Sequence, residues 1–281
     1  MEGMLYLCAT PIGNLGDITS RVITTLQNVD LIAAEDTRNS IKLLNHFNIK
    51  VPMTSYHEYN KIEKAQELIN KMKDGLDIAL ITDAGTPAIS DPGEVLVKMC
   101  YEENIKVTSL PGAVACITAL TLSGLSTRRF CFEGFLPADK KERKVILEEL
   151  VKESRTIILY EAPHHLVKTL QDLYVILNNR KITLCRELTK KFETVLPTTL
   201  EEALIRYQEE EPRGEYVIVI EGVSLEDKKK EKMDSWQEMS IEKHMDYYER
   251  DGIDHKDAMK LVAKDRGISK REVYQYLIKN S

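Results

Sequence analysis

The chain has 281 residues, which is enough for about two domains with hydrophobic cores of their own. Hydrophobic residues make up 43% of the sequence and charged residues 30%, as in globular proteins, and no apolar run approaches the roughly 18 residues that a membrane-spanning helix needs. The net charge of −6 argues against a protein that coats nucleic acid indiscriminately, although it permits a local basic patch.

Two features of the sequence predict a cytoplasmic protein. The chain enters a strand-like run at residues 4–9 without a basic leader, so we expect no signal peptide. The five cysteines are scattered and never form a Cys-x-x-Cys pair, so we expect buried thiols rather than disulfides or zinc ligands. These cysteines are Cys8, Cys100, Cys116, Cys131 and Cys185.

Strand and helix patterns alternate through residues 1–125, which we predict to be the first domain. Short apolar runs predict strands at residues 5–9, 31–34, 53–56, 78–81 and 106–110. Helical spacing predicts helices at residues 18–27, 40–47, 62–72 and 114–122. Another helix is predicted after the strand at 78–81, and it runs to about residue 101. This alternation predicts an α/β domain with a parallel sheet covered on both faces.

The alternation continues through residues 126–223, which we predict to be a second α/β domain. Strands are predicted at residues 130–135, 155–160, 182–186 and 216–220, with helices at 140–152, 166–177 and 200–208. Residues 224–236 are rich in lysine and glutamate and lack an apolar period, so we predict a charged linker there.

Residues 237–281 are predicted to form a small all-helical module. Three short helical patterns are separated by Gly252 and Gly267, and Ser269 with Glu272 forms a capping box. The spacing resembles a helix-turn-helix, but the module carries nine basic and nine acidic residues, so strong DNA binding is not indicated. A packing module is the favoured interpretation.

Common cofactor and metal motifs are absent from the sequence. We find no Gly-x-Gly-x-x-Gly after a strand, no phosphate-binding Gly-x-x-x-x-Gly-Lys-Ser/Thr motif and no nucleophile elbow. The six histidines include one adjacent pair, His164 and His165, with no cysteine nearby, so we expect no metal site.

The candidate site consists of loops at the ends of predicted strands. In the central loop, the apolar strand at 78–81 is followed by turn residues, among which Gly85 permits close approach of a ligand to the backbone. Strand-end loops of a parallel sheet share one edge, where ligands bind. Five such loops therefore predict a small-molecule site. They cover residues 10–17, 35–38, 57–58, 82–91 and 111–112.

Several longer motifs carry a resemblance to a known family. The first domain contains Ala9-Thr10-Pro11-Ile12-Gly13-Asn14-Leu15, Ala34-Glu35-Asp36-Thr37-Arg38, Ser55-Tyr56-His57-Glu58, and residues 82–87 with 89–93. The second contains Gly134-Phe135-Leu136-Pro137, Tyr160-Glu161-Ala162-Pro163-His164 and Arg186-Glu187-Leu188-Thr189-Lys190. In this order, over about residues 4–222, they resemble the ribosomal RNA small subunit methyltransferase I family, a branch of the tetrapyrrole methylase superfamily.

The resemblance implies two α/β domains of the tetrapyrrole methylase type with S-adenosylmethionine bound in the cleft between them. It also implies methyl transfer to the ribose 2′-hydroxyl of a decoding-centre cytidine in 16S rRNA of the small ribosomal subunit. We expect a homodimer that needs no metal and does not associate with a membrane.

Donor-binding residues are expected in the strand-end loops of both domains. The first-domain candidates are Pro11, Ile12, Gly13, Asp83, Gly85, Thr86, Pro111, Gly112, Ala113 and Ala115. By resemblance, Ala162, Glu221 and Gly222 close the cleft from the second domain.

The reacting 2′-hydroxyl is a poor nucleophile until it is deprotonated, so a base or a cation should lie beside it. The catalytic candidates are Glu35, Asp36, Arg38, His57, Glu58, Glu187 and Lys190. We predict that Lys190 faces the methyl group and stabilises the alkoxide, or acts as the base if burial lowers its pKa.

Basic residues in the second domain are candidates for phosphate contacts with the RNA. These are Arg128, Arg129, Lys140, Lys141, Arg143 and Lys191. His165 stands where the family usually carries arginine, which puts a phosphate-clamping role of this position in doubt.

Two other functions are consistent with the pattern. A tetrapyrrole C-methylase would share the fold and the methyl donor, although the paired basic residues favour a polyanionic substrate. A non-enzymatic regulator would instead use the helix-turn-helix-like module, which should then bind DNA alone.

Overall fold

The structure is a computed structural model that describes residues 2–224, 233, 236 and 238–279. Most of the predicted linker at residues 224–236 lies outside the described residues. The chain divides into one unit of Met1–Val151 with Arg155–Glu221, and another of Lys152–Ser154 with Gly222–Ser281. Within the described ranges, no helix has both the length and the apolar character needed to cross a membrane.

The first sheet has five parallel strands in the order β3-β2-β4-β1-β5. The central strand β4 is buried at all four positions because helices cover both faces of the sheet. The apolar runs predicted all five strands to within a residue. They are β1 (Met4–Cys8), β2 (Leu31–Ala34), β3 (Met53–Ser55), β4 (Ile78–Ile81) and β5 (Lys106–Leu110).

Helices pack on both faces of the first sheet. They are α1 (Ser20–Asn28), α2 (Thr37–His46), α3 (Lys61–Lys73) and α4 (Gly93–Glu102), with a 3-10 turn at Leu15–Asp17. A fifth helix, α5 (Ala115–Leu122), follows β5, but its buried residues pack against the second sheet. On one face, Leu7 of β1 shares a buried cluster with Leu68 of α3 and Leu96 of α4. On the other face, Cys8 of β1 clusters with Leu26 of α1. Successive residues of β1 therefore serve opposite layers.

The second sheet has the order β6-β7-β10-β8-β9 and is mostly antiparallel. Only β6 and β7 pair in parallel, while β10 runs antiparallel to both β7 and β8. The strands are β6 (Phe130–Phe135), β7 (Thr156–Glu161), β8 (Lys181–Arg186), β9 (Thr194–Thr199) and β10 (Tyr216–Ile220).

Each face of the second sheet is covered by helices from a different part of the chain. One face packs on α6 (Lys140–Leu150), α7 (Pro163–Leu177) and α8 (Leu200–Glu209). The other face packs on α5, whose Ala119 clusters with Ile158 of β7 and Val217 of β10. Helix α5 therefore joins the two sheets into one unit.

Strand β9 is absent from the sequence prediction. It lies at the edge of the sheet, contains Pro197 and carries several threonines, so it has no continuous apolar run. An edge strand tolerates proline because one side of its backbone has no strand partner.

The C-terminal unit contains the three predicted helices, α9 (Ile241–Arg250), α10 (His255–Arg266) and α11 (Lys270–Lys279). They enclose a small core that includes Met245, Val262 and Val273. Gly267 ends α10 with a left-handed φ of +64°, and the Glu272 backbone N–H donates to the Ser269 hydroxyl at 3.2 Å. The predicted capping box is confirmed by the return bond from the Ser269 N–H to the Glu272 carboxylate at 2.7 Å.

Candidate functional site

A cleft of about 550 Å³ lies where loops of the first sheet meet one edge of the second sheet. Its size is that of a small-molecule site. The first sheet contributes Ile12, Glu35, residues 82–86, residues 89–91, Val114 and Ala115. The second contributes Phe135, residues 160–163, Cys185, Leu188, Lys190 and residues 215–217.

Three of the predicted donor-binding loops converge at Gly85. Thr10 and Gly85 exchange backbone hydrogen bonds of 2.8 and 3.1 Å, which ties the loop after β1 to the loop after β4. Gly85 has a φ of +87°, and a Cβ built on it would lie 3.3 Å from Ile12 Cγ2 and 3.5 Å from the Ala113 carbonyl oxygen. The Thr86 hydroxyl also donates to that carbonyl, at 3.1 Å. The structure thus brings Ile12, Gly85, Thr86 and Ala113 together.

Charged residues make the cleft strongly acidic. Glu35 accepts a 2.6 Å hydrogen bond from the Thr82 hydroxyl. Burial and the nearby charge of Glu35 raise the pKa of Asp83. The lining residues, all of which the structure describes, include five carboxylates and one cation, Lys190. The carboxylates are Glu35, Asp83, Asp91, Glu161 and Glu215. Such a site favours a ligand with net positive charge.

Two loops beside the cleft hold backbone conformations that side chains rarely adopt. Among the described non-glycine residues other than asparagine, positive φ occurs at Ala88, Ser90, Glu187 and Thr189. The Asp91 carboxylate stabilises the first loop by accepting the N–H groups of Ala88, Ile89 and Gly93 at 2.8 to 3.1 Å. Strained backbone of this kind clusters at functional sites because the surrounding structure must maintain it.

Lys190 lies in the second of these loops and lines the cleft. Its Nζ donates to Glu187 Oε1 at 2.9 Å and to Glu215 Oε2 at 2.8 Å. Burial lowers the pKa of Lys190, but hydrogen bonds to the two carboxylates outweigh that effect and leave the pKa raised. Lys190 was expected to act as a base only if burial lowered its pKa, and the raised pKa does not meet that condition. Lys190 is instead a cation held in place by two carboxylates.

Gly13 lies against the Lys190 loop. A Cβ built on Gly13 would be 2.4 Å from Lys190 Cγ and 2.8 Å from the Thr189 hydroxyl oxygen. The loop after β1 and the loop after β8 therefore touch at this end of the cleft, where only a glycine fits without displacement.

Asp36 and Arg38 do not line the cleft. The Arg38 guanidinium donates to both carboxylate oxygens of Asp36 at 3.1 and 2.8 Å, and these bonds lower the pKa of Asp36 to about 2. The Asp36 carboxylate also caps α2 by accepting the Arg38 backbone N–H at 2.8 Å. The structure gives this pair a capping role outside the cleft lining, although the Asp36 backbone N–H donates to the cleft residue Asp83 at 3.2 Å.

His57 and Glu58 also lie outside the cleft lining. They follow β3, the edge strand of the first sheet, whereas the donor loops follow β1, β4 and β5. The His57 backbone N–H donates to Asn60 Oδ1, and Glu58 pairs with Lys61. The sequence places these residues at the correct edge of the sheet but does not reveal that β3 is the outermost strand.

The expectation that Glu221 and Gly222 close the cleft is wrong. Because β10 is antiparallel to β7, its first residue, Tyr216, pairs with Glu161 beside the cleft, and Ile220 pairs with Ile157 at the far edge. Glu221 follows Ile220, and Gly222 comes next in the chain. The residues that enter the cleft from this strand region are instead residues 215–217.

Pro111 and Gly112 are not among the cleft-lining residues, nor are Pro11, Gly13 and Ala113. A Cβ built on Gly112 would lie 2.6 Å from Ala9 Cβ, so its small size serves packing of the loop against the end of β1. Ala113 and Ala115 lie further along the same loop, and Ala115 together with Ala162 lines the cleft as expected.

The predicted RNA-contacting residues divide into three groups: lysines near the cleft edge of the second sheet, two arginines at the opposite edge, and Arg143, which is buried. Lys140 and Lys141 begin the helix after β6, and Lys191 follows Lys190, so these exposed lysines lie near the cleft edge of the second sheet. Arg128 and Arg129 precede β6, which places them at the opposite edge. His165 is exposed in the first turn of α7, with its ring centroid 4.2 Å from that of His164.

Arg143 is not available for phosphate contact because it is buried. Its Nε donates to Asp172 Oδ2 at 2.7 Å, and its Nη2 donates to the Thr169 hydroxyl at 2.8 Å. The residue is 8% exposed. Its spacing to Leu147 and Leu150 puts all three on the inner face of α6, and this periodicity in the sequence could have identified it as a core residue.

Replacing Arg143 with methionine is expected to lower the free energy of unfolding by about 2 kcal/mol, since Asp172 and Thr169 lose their partner. Lys141→Met, at an exposed position on the same helix, should change it little. Urea unfolding measures both variants. Equal stability of the two would contradict the structural role of Arg143.

Sequence reasoning did not single out Glu161, although it belongs to a recognised motif. This carboxylate is 6% exposed, lines the cleft, and accepts hydrogen bonds from the Ala162 N–H at 2.8 Å and from the Thr169 hydroxyl. The sequence does contain an indication of its role, because a charged residue ends the apolar run of β7.

Comparisons with solved structures identify the fold. A diphthine synthase superposes with a TM-score of 0.63 at 14% identity, over 78% of this chain and 90% of that one. A uroporphyrin-III-C-methyltransferase from Thermus thermophilus gives 0.56 at 17% identity, over 77% and 94%. At these identities the likeness concerns the fold alone.

Comparisons of sequence find relatives of much higher identity than these solved structures. The family model for Tetrapyrrole (Corrin/Porphyrin) Methylases matches residues 4–204. A protein of Halalkalibacterium halodurans named ribosomal RNA small subunit methyltransferase I is 48% identical over 97% of this chain and 94% of its own length. Proteins of the same name from Synechocystis sp. and Bacillus subtilis are 47% and 46% identical, over 96% and 93% of their lengths. The chain therefore belongs to the tetrapyrrole methylase family and, within it, to the ribosomal RNA small subunit methyltransferase I group.

Proposed function

We propose that this protein transfers the methyl group of S-adenosylmethionine to the ribose 2′-hydroxyl of a decoding-centre cytidine in 16S rRNA. The observation that carries the proposal is the identity of 46–48% to relatives named ribosomal RNA small subunit methyltransferase I, over 97% of this chain. The structural neighbours that act on other substrates share only 14–17% of their residues with it.

The cleft suits the proposed donor in charge and shape. S-adenosylmethionine supplies a methyl group activated by a positively charged sulfonium, and its ammonium and carboxylate leave a net charge of about +1. Five cleft carboxylates against one lysine favour such a cation. Gly85, with its left-handed φ, and the adjoining Ile12 and Ala113 form the closely packed wall that would hold it.

The chain must orient the hydroxyl, exclude water and manage one proton. Lys190, fixed between Glu187 and Glu215, presents a cation that stabilises negative charge developing on the 2′-oxygen. Glu35 and Asp83 are the cleft carboxylates proposed to accept the hydroxyl proton. The raised pKa of Asp83 brings its basicity closer to that of a useful base.

The finer parts of the proposal concern the partners. Lys140, Lys141 and Lys191, which are exposed near the cleft edge, are proposed to contact phosphates of the RNA. A homodimer, a cytoplasmic location and action on the ribosomal subunit belong to the same proposal.

We expect the C-terminal helical unit to be dispensable for donor binding. A truncated variant ending at Leu225 keeps both sheets and every residue that lines the cleft. It should show a cooperative thermal transition by circular dichroism and bind S-adenosylmethionine within about threefold of the wild-type affinity. A variant that folds but does not bind the donor would show that the helical unit completes the site.

The proposed function is tested with S-adenosylmethionine carrying a labelled methyl group. Purified protein is incubated with small ribosomal subunits, naked 16S rRNA or a tetrapyrrole. The proposal predicts label in the rRNA, and label in the tetrapyrrole alone would favour the C-methylase alternative. Donor binding by the protein alone, measured by calorimetry, should be the same with and without a chelator, and its loss on chelation would contradict metal-free donor binding.

A further inference from the structure

Phe135 and Ile89 are large apolar side chains that line the cleft yet remain open to solvent. Phe135 exposes 57% of its surface and Ile89 exposes 39%. Phe135 belongs to β6 of the second sheet, and Ile89 belongs to the loop after β4. Apolar surface left open at the entrance of a site is typical of a place where an apolar or aromatic group binds.

The two segments that carry these side chains approach each other at the cleft. The register of β6 against β7 shifts between Phe132 and Gly134, and Gly134 has a left-handed φ of +62°. A Cβ built on Gly134 would lie 3.1 Å from the Ser90 hydroxyl oxygen. Ser90 adjoins Ile89 and Gly134 adjoins Phe135, so the bulge joins the two segments where both exposed side chains line the cleft.

The Phe135 ring is supported from behind. It meets the Tyr160 ring edge to face, with centroids 5.6 Å apart. Tyr160 is held in turn by Phe132, with centroids 4.9 Å apart, and by the Cys116 N–H, which donates to its hydroxyl at 3.1 Å. A ring ordered in this way loses little conformational entropy when a flat group binds to it.

We propose that Phe135 and Ile89 hold the base of the nucleotide that is methylated, with the base stacked on the Phe135 ring. This rests on the proposed function and specifies how the cleft takes its RNA substrate. Enzymes that react at a base take it out of the stack and hold it between aromatic or apolar side chains. A ribose that enters this cleft brings its own base with it, so the cleft needs a comparable place for that base. Unstacked RNA bases bind phenylalanine rings in the same way.

The exposure of the two side chains favours the RNA base over the adenine of the donor. The donor loops meet around Gly85, where Ile12 is only 8% exposed. Phe135 exposes more than half of its surface, as expected for the entrance through which a polymer approaches. If the donor is enclosed by the wall around Gly85, the entrance at Phe135 and Ile89 is free to bind the nucleotide.

The test compares Phe135→Ala with Phe135→Tyr, which keeps a ring, and with Phe130→Ala. The last variant removes a ring that is 39% exposed at the other end of β6. For each variant, single-turnover methylation is measured over a range of small-subunit concentrations, and donor affinity is measured by calorimetry.

Phe135→Ala is expected to raise the half-saturating concentration of small subunits on the order of 10- to 100-fold, as loss of a stacking platform does. Phe135→Tyr and Phe130→Ala should stay within about threefold of wild type, and donor affinity should be unchanged in all three.

The Phe135→Ala variant could instead bind the donor poorly and keep the wild-type half-saturating concentration of small subunits. That result would show that the ring stacks on the donor adenine, and it would overturn the proposal. Wild-type behaviour in both assays would also overturn it. Absence of methyl transfer by the wild-type protein is a different result, because it rejects the proposed function before any variant is compared.

Discussion

Lys190→Met is expected to slow single-turnover methyl transfer on the order of 100-fold or more, with little change in donor affinity. Methionine keeps most of the side-chain length, including the Cγ that packs against Gly13, but removes the cation. Glu187 and Glu215 then lose the charge that offsets them, and Glu215 lines the cleft. The negative charge that develops on the 2′-oxygen would face an uncompensated carboxylate instead of an ammonium group.

Two further variants separate this explanation from a general loss of structure. Lys190→Arg keeps a cation between the carboxylates and should recover much of the rate, while Lys191→Met, at an exposed neighbouring position, should leave it unchanged. Because the two carboxylates raise the Lys190 pKa above its ordinary value, the residue stays protonated, and its titration should not reduce the rate between about pH 7 and about pH 9. Wild-type activity of Lys190→Met would place the catalytic group elsewhere.

Gly85→Val is expected to weaken donor binding at least about 100-fold, measured by calorimetry. At a φ of +87° an L-residue is strained, and a β-branched residue most of all. The added Cβ would already lie 3.3 Å from Ile12 Cγ2 before its two methyl groups are placed. The loop must therefore move away from the position that joins the loops after β1 and β5.

Gly124→Val provides the matched control for this substitution. Gly124 has a similar φ of +70°, but a Cβ built there would meet nothing within 4 Å. Both variants should lose thermal stability to a comparable extent through backbone strain, whereas only Gly85→Val should lose donor binding. If the two variants bind the donor equally well, the loop at Gly85 is not part of the donor site.

The inner strands of the first sheet were predictable because they are buried and therefore apolar in sequence. The strand at Ile78–Ile81 is apolar at every position, as a central parallel strand must be, and turn residues follow it directly. The residues that meet at Gly85 were predictable for the same reason, since parallel strands bring their following loops to one edge.

Strand direction and strand order are not recorded in the same way. A run such as Tyr216–Ile220 is apolar whichever way it points. Nothing in its pattern indicates that its beginning, rather than Glu221, faces the cleft. The outermost position of β3, which separates His57 from the cleft, depends on pairings between distant segments. Sequence patterns therefore predicted which residues end strands, but not the direction of β10 or the edge position of β3.

The central claim is that the methyl group is placed on a ribose oxygen of the small-subunit RNA, and nucleoside mass spectrometry of methylated rRNA tests it most directly. Small subunits that lack the modification are incubated with the protein and S-adenosylmethionine, and the RNA is then digested to nucleosides. We predict a single new product, cytidine with its methyl group on the 2′-oxygen. A methyl group on the base, or on a nucleoside other than cytidine, would contradict the account.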